Sequence, residues 1–115
     1  MMIHLMNNYR KLSEQEIQQL KAHSCTADDW TNIEVATEFK VDYVYHTRFS
    51  GKIRLGVFEH EFTLAGGMRK HAGLYHATLH NVTVGNHCCI ENVKNYIANY
   101  DIGDYTFIEN VDIIL

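Results

Sequence analysis

Proline is absent from the chain, although average usage near 5% gives about six in a sequence of this size, so corners and turns rest on Gly, Asn and Asp. Cysteine occurs three times, isolated at Cys25 and adjacent at Cys88 and Cys89. That makes a poor disulfide framework and suits a reducing compartment. No apolar run approaches the ~18 residues of a membrane span, and Met1 to Leu12 lacks the apolar stretch of a secretory signal. A cytoplasmic location without a membrane partner is therefore expected. No Lys/Arg run is present, and ten basic residues against fourteen acidic ones give a net charge of -4, which argues against a nucleic-acid surface. With 115 residues the chain has room for one core and a single domain over 1–115.

What the sequence does contain is a repeat. Val84, Ile90, Tyr96, Ile102, Ile108 and Ile114 place an apolar residue at every sixth position. Neither a helix nor a flat strand has that period. Val84-Gly85-Asn86 returns as Ile102-Gly103-Asp104, and Ile90-Glu91-Asn92-Val93 as Ile108-Glu109-Asn110-Val111, each eighteen residues on. A fixed spacing implies stacked, equivalent turns. Six of the nine asparagines lie between Asn81 and Asn110, where corners need residues that tolerate left-handed backbone angles.

The sixfold pattern, with Cys88 or Thr106 four places after the apolar residue, resembles the bacterial hexapeptide-repeat family. The resemblance implies a left-handed parallel β-helix in which three hexapeptides make one triangular coil. The expected fold is mainly β: regular eighteen-residue coils over 84–115, irregular coils over about 48–83 and an α-helical cap over 8–39.

Ser13 with Glu16 three residues on forms a capping box, and Leu12 can staple to Ile17, so a helix begins there with Ile17 and Leu20 inward. Thr26 with Asp29 reads as the cap of a short turn carrying Trp30, which with Ile33 packs against the first helix. Solenoids need such a lid at an open end. From Val41 onward strands take over, with Tyr43, Tyr45, Thr47 and Phe49 in one alternating register that Gly51 breaks. Farther on, Phe58, His60, Phe62 and Leu64 share a face, and Glu59, Glu61 and Thr63 take the other. The sixfold register extended back from Val84 puts His60 and Arg54 inside, so it must slip before residue 84. Lys94, Tyr100 and Asp112 fall where the repeat wants a small residue. Either the chain bulges at Lys94-Asn95-Tyr96, or Lys94 pairs with Asp112; the stacked pair is the expectation.

Phe49-Ser50-Gly51, Ile53-Arg54-Leu55-Gly56, Gly66 to His71, Tyr75 to Val82 and Lys94 to Tyr100 also resemble the opening of a family of much longer, functionally uncharacterised bacterial hexapeptide-repeat proteins. That likeness implies a fold and a fragment of a longer solenoid rather than an activity.

Three stretches invite a chemical role. Leu64-Ala65-Gly66-Gly67 followed by Arg69 and Lys70 is similar to the phosphate loop of sugar-nucleotide transferases, which implies anion binding by Gly66, Gly67, Arg69 and Lys70. A turn needing positive φ explains the glycine pair equally. His71, His76, His80 and His87 lie close together in sequence, and resemblance to hexapeptide acyltransferases implies that a coil-edge histidine is a general base, for which any of the four, His76, His80 and His87 foremost, is a candidate. His76, His80 and Cys88 have zinc-like spacing, but the repeat points Cys88 inward, so no metal site is expected.

Two functions follow. One is the capped start of a longer β-helix, a structural or assembly module that needs no cofactor. The other is a hexapeptide-type acyltransferase or sugar-nucleotide transferase, with acetyl-CoA or a nucleotide-sugar bound by the full-length protein. The module is favoured, because fewer than two regular coils cannot line an acyl-carrier groove. The apolar run Val111 to Leu115 leads us to expect self-association, as a trimer or as end-to-end dimers.

Overall fold

The structure, a computed structural model, describes residues 8–115. Met1 to Asn7, part of the stretch expected to lack a secretory signal, lie outside the described residues.

The chain opens with β1 (Tyr9–Lys11) and the helix α1 (Glu14–Ala22). Ser13 accepts from the Glu16 N–H while the Glu16 carboxylate accepts from the Ser13 N–H, so the capping box is closed on both sides. Arg10 forks onto the same carboxylate at 2.7 and 2.9 Å, which holds Glu16 below its ordinary range. Leu20 is fully buried and Ile17 packs against the core.

The expected helical cap over 8–39 needs correction, because α1 is its only α-helix. The short turn expected at Trp30 is a single 3₁₀ turn at Trp30–Asn32, capped by Asp29 rather than by Thr26, which lies in β2 (Thr26–Ala27). β3 (Ile33–Ala36) follows, alternating buried Ile33 and Val35 with half-buried Glu34 and Ala36. β1 joins β3 antiparallel, whereas β2 and β3 both run parallel to β4 (Val44–Leu55). Two β-branched residues at alternate positions, Ile33 and Val35, favour strand over helix here.

Next come β5 (Glu61–Thr63), β6 (Arg69–His71), β7 (Gly73–Val84), β8 (Cys89–Glu91), β9 (Tyr96–Ile102), β10 (Phe107–Glu109) and β11 (Ile113–Ile114). β5 and β6 form an antiparallel hairpin of their own. β4 pairs with β7, β7 with β8 and β9, β8 with β10, and β9 with β11, all parallel. Val84 pairs with Ile102 and Ile90 with Ile108, as the eighteen-residue repeat requires.

The spacing is less regular than the repeat suggests. Gly73 pairs with Cys89, sixteen residues on, and Ile113 with Tyr96, seventeen apart. Between β4 and β7 the spacing falls from thirty at Ser50–His80 to twenty-nine at Ile53–Val82, across a bulge. The β5–β6 hairpin accounts for the extra length there. It is an excursion whose inner face carries Phe58, His60, Phe62 and Leu64, as the alternation predicts.

The long strands bend at residues with positive φ, and these residues align. Ser24, His46, His76, Asn92 and Asn110 have φ between 50 and 64° and occupy equivalent positions in successive strands. Gly51, Asn81 and Asn99 make a second column, and His87 and Tyr105 begin a third. A left-handed residue also shifts side-chain parity, which corrects the register expected for β4. Val44, Thr47 and Phe49 are buried, whereas Tyr43 and Tyr45 lie outside, because the bend at His46 falls between the two sets. Thr47, the one buried polar side chain among the core residues, donates its hydroxyl to the Tyr45 carbonyl at 2.9 Å.

The same logic corrects Tyr96. It is 37% exposed, and Ile97, fully buried, takes the inward position. Two extra residues, Lys94 and Asn95, bulge outward before it, so Lys94 does not pair with Asp112 as expected. The Lys94 side chain is exposed, and the Asn95 amide donates to the Asp112 carboxylate instead. The core runs between the strands from Leu20 through Val44, Leu74, Leu79, Val84 and Ile90 to Ile97 and Ile102.

Candidate functional site

His76, His80 and His87 fall to different neighbours. The His76 ring stacks on His46 at 4.5 Å on the outside of a corner. His87 accepts the Glu59 N–H at Nδ1, and its ring joins Tyr105 and His60 at 5.0 and 6.4 Å.

His80 sits 2.7 Å from the Ser50 hydroxyl, a pair that invites comparison with an activated serine. Its proton is in the wrong place. The Asn81 Oδ1 accepts from the Lys52 N–H at 2.9 Å, which fixes the amide and turns Nδ2 toward His80 Nε2 at 3.2 Å. Nε2 must accept, so in the neutral ring Nδ1 carries the proton and donates to Ser50. A general base would need the opposite tautomer.

His71, like His23, directs one ring nitrogen at a backbone carbonyl. Its Nδ1 lies 2.7 Å from the Ala72 carbonyl, which only accepts, so the proton is on Nδ1 and Nε2 keeps its lone pair. The ring stacks on Tyr43 at 3.5 Å and borders a recess of about 240 Å³ with Lys40, Asp42 and Glu59.

Gly66 and Gly67 form the tip of the β5–β6 hairpin at φ 81 and 84°, and a side chain on either would meet nothing. Gly67 N–H closes on the Leu64 carbonyl and Leu64 N–H on the Met68 carbonyl. Both cations are occupied by carboxylates: Arg69 reaches Glu61 at 3.1 Å and Lys70 reaches Glu91 at 2.6 Å, a contact that raises the lysine pKa. The residues of the phosphate-loop resemblance are thus adjacent, with their charges already matched within the fold.

Among the described residues no three His, Cys, Asp or Glu side chains gather as metal ligands. Cys88 points inward and donates its thiol to the Gly103 carbonyl at 3.0 Å. Burial, and then Glu91, push the adjacent Cys89 thiol up to about 11. Burial likewise raises Cys25 and Cys88, so none of the three is a ready thiolate. A recess of about 600 Å³ is lined by Lys11, Lys52, Arg54, Thr83 and Asn32, with Glu34 bridging Lys11 and Arg54.

The most distinctive surface is the last layer of strands. Among the described residues β10 and β11 each pair on one side only, and Tyr105, Ile113 and Leu115 there are 57%, 45% and 73% exposed. The other end of the strand stack carries α1 and β1. The columns running to the open layer, missed in the sequence, had a visible signal in the paired Gly85-Asn86 and Gly103-Asp104.

A family model described as Domain of unknown function (DUF4954) matches residues 9–115. An uncharacterized protein of Treponema pallidum (strain Nichols) is 29% identical over 110 residues, which are 90% of this chain and 14% of that protein. The chain therefore spans about one seventh of the length of this curated relative. No solved structure matches it significantly. No helix among the described residues is long and apolar enough to cross a membrane.

Proposed function

The chain belongs to the DUF4954 family, and from that premise we propose that it is the capped first segment of a left-handed parallel β-helix of the hexapeptide-repeat kind, a structural and assembly module without catalysis of its own. The difference between its two ends carries this reading. One end is closed by α1 and β1, and the other exposes a strand layer paired on a single side. Support comes from the eighteen-residue pairing of β8 with β10 and from the aligned left-handed corners, which Gly51, Asn81, Asn92, Asn99 and Asn110 turn at low cost. The alternative, an acyltransferase or sugar-nucleotide transferase acting through Arg69 and Lys70 or a histidine, draws less support. Those cations are neutralised, and His80 presents the wrong tautomer.

A melting scan separates the two. Acetyl-CoA, UDP-sugars and phosphate should leave the melting temperature of the wild type and of an Arg69→Ala, Lys70→Ala double variant equally unchanged. A ligand at a hundred times its Kd stabilises a folded protein by about 2.7 kcal/mol, which moves the Tm of a domain this small by roughly 10 °C or more. A rise of that order in the wild type, lost in the double variant, overturns the module.

A further inference from the structure

Three columns of polar groups run through the strand stack, and all reach the open layer in the same hydrogen-bonding sense. In the first, Gly56 lies against Asn86 of the next layer, whose Oδ1 accepts the Val57 N–H at 3.1 Å. The arrangement repeats one layer on. Gly85 lies against Asp104, whose Oδ1 accepts the Asn86 N–H at 2.7 Å. Gly103 continues the series, but a Cβ built there meets nothing within 4 Å, and the Asp104 N–H has no partner among the described residues. In the second column the Lys52 N–H donates to Asn81 Oδ1, and Asn81 Nδ2 donates to Asn99 Oδ1 at 3.2 Å. In the third, Asn92 Nδ2 donates to Asn110 Oδ1 at 3.2 Å.

At the open layer each column therefore ends on a donor: the Asp104 N–H, Asn99 Nδ2 and Asn110 Nδ2. We infer that this surface docks a further parallel coil of the repeat, carried in line by longer members of the family, and that it selects one bearing an Asn or Asp side-chain oxygen at all three corners. This rests on the module reading above and specifies its partner. Gly103 is the seat for the first of those side chains, as Gly56 and Gly85 are for Asn86 and Asp104. The relative of which this chain covers 14% has ample length for such a coil.

The test fuses a copy of residues 98–115 after Leu115, either unchanged or with the copies of Asn99, Asp104 and Asn110 changed to alanine, and follows amide exchange by NMR. Gly103 and Phe107 occupy the positions of Gly85 and Cys89, whose N–H groups donate to the next layer, so they report backbone stacking. Asp104 reports the side-chain acceptor. With the unchanged copy, Gly103, Phe107 and Asp104 should all exchange at least about tenfold more slowly than in the 115-residue chain. With the alanine copy, Gly103 and Phe107 should slow while Asp104 stays fast. Equal slowing of Asp104 in both fusions overturns the acceptor rule and leaves stacking intact. Fast exchange of all three in the unchanged fusion overturns stacking itself.

Discussion

Replacing Ile97 with alanine should lower the unfolding free energy by about 2–5 kcal/mol, the range for removing a fully buried aliphatic side chain, whereas Tyr96→Ala should cost about 1 kcal/mol or less. The two residues are neighbours, and the sixfold repeat alone assigns the inward position to Tyr96. The structure gives it to Ile97, which is fully buried beside Leu79 of β7, because Lys94 and Asn95 bulge outward. Urea unfolding of the two variants reads the difference directly, with the midpoint shifting and the slope unchanged if both remain two-state. A larger loss at Tyr96 than at Ile97 would restore the uninterrupted repeat.

Gly85→Ala should cost about 1–3 kcal/mol, as overpacking does, while Gly103→Ala should stay within about 0.5 kcal/mol, as surface changes do. A Cβ at Gly85 meets Asp104 Oδ1 at 2.5 Å, Asp104 N at 2.8 Å and the Gly103 carbonyl carbon at 2.9 Å. The last two are backbone atoms of the adjacent layer and cannot rotate away. At Gly103 the same atom meets nothing, and φ is outside the left-handed range. Matched melting curves check the pair, and equal losses would mean that Gly103 is as enclosed as Gly85.

Much of this architecture was legible where a residue's chemistry acts locally. Ser13 and Glu16 determine their capping box within four residues, and the eighteen-residue return of Gly85-Asn86 and Ile90-Glu91 determines which strands pair. The register expected for β4 failed through the side-chain parity change at left-handed corners. His46 moves Tyr45 outside and Thr47 inside, and although histidine is enriched among residues with positive φ, the sequence does not say which histidine is a corner. The segment 26–36 fell within the expected helical cap over 8–39, yet the parallel edge of β4 recruits most of it as strand, a tertiary effect that local sequence does not encode. The site was least legible. The glycine and asparagine repeats were visible, but that they form directed donor–acceptor columns depends on which layer each amide faces.

The openness of the last layer is the claim on which the rest depends, and native-state amide exchange of the 115-residue chain tests it most directly. Gly56, Gly85 and Gly103 hold the same place in three successive layers; the first two N–H groups donate to the Val84 and Ile102 carbonyls. Gly103, in an edge that opens without disrupting the core, should exchange at least about a hundredfold faster than Gly85. Protection of Gly103 equal to that of Gly85 in the monomer would contradict an open end.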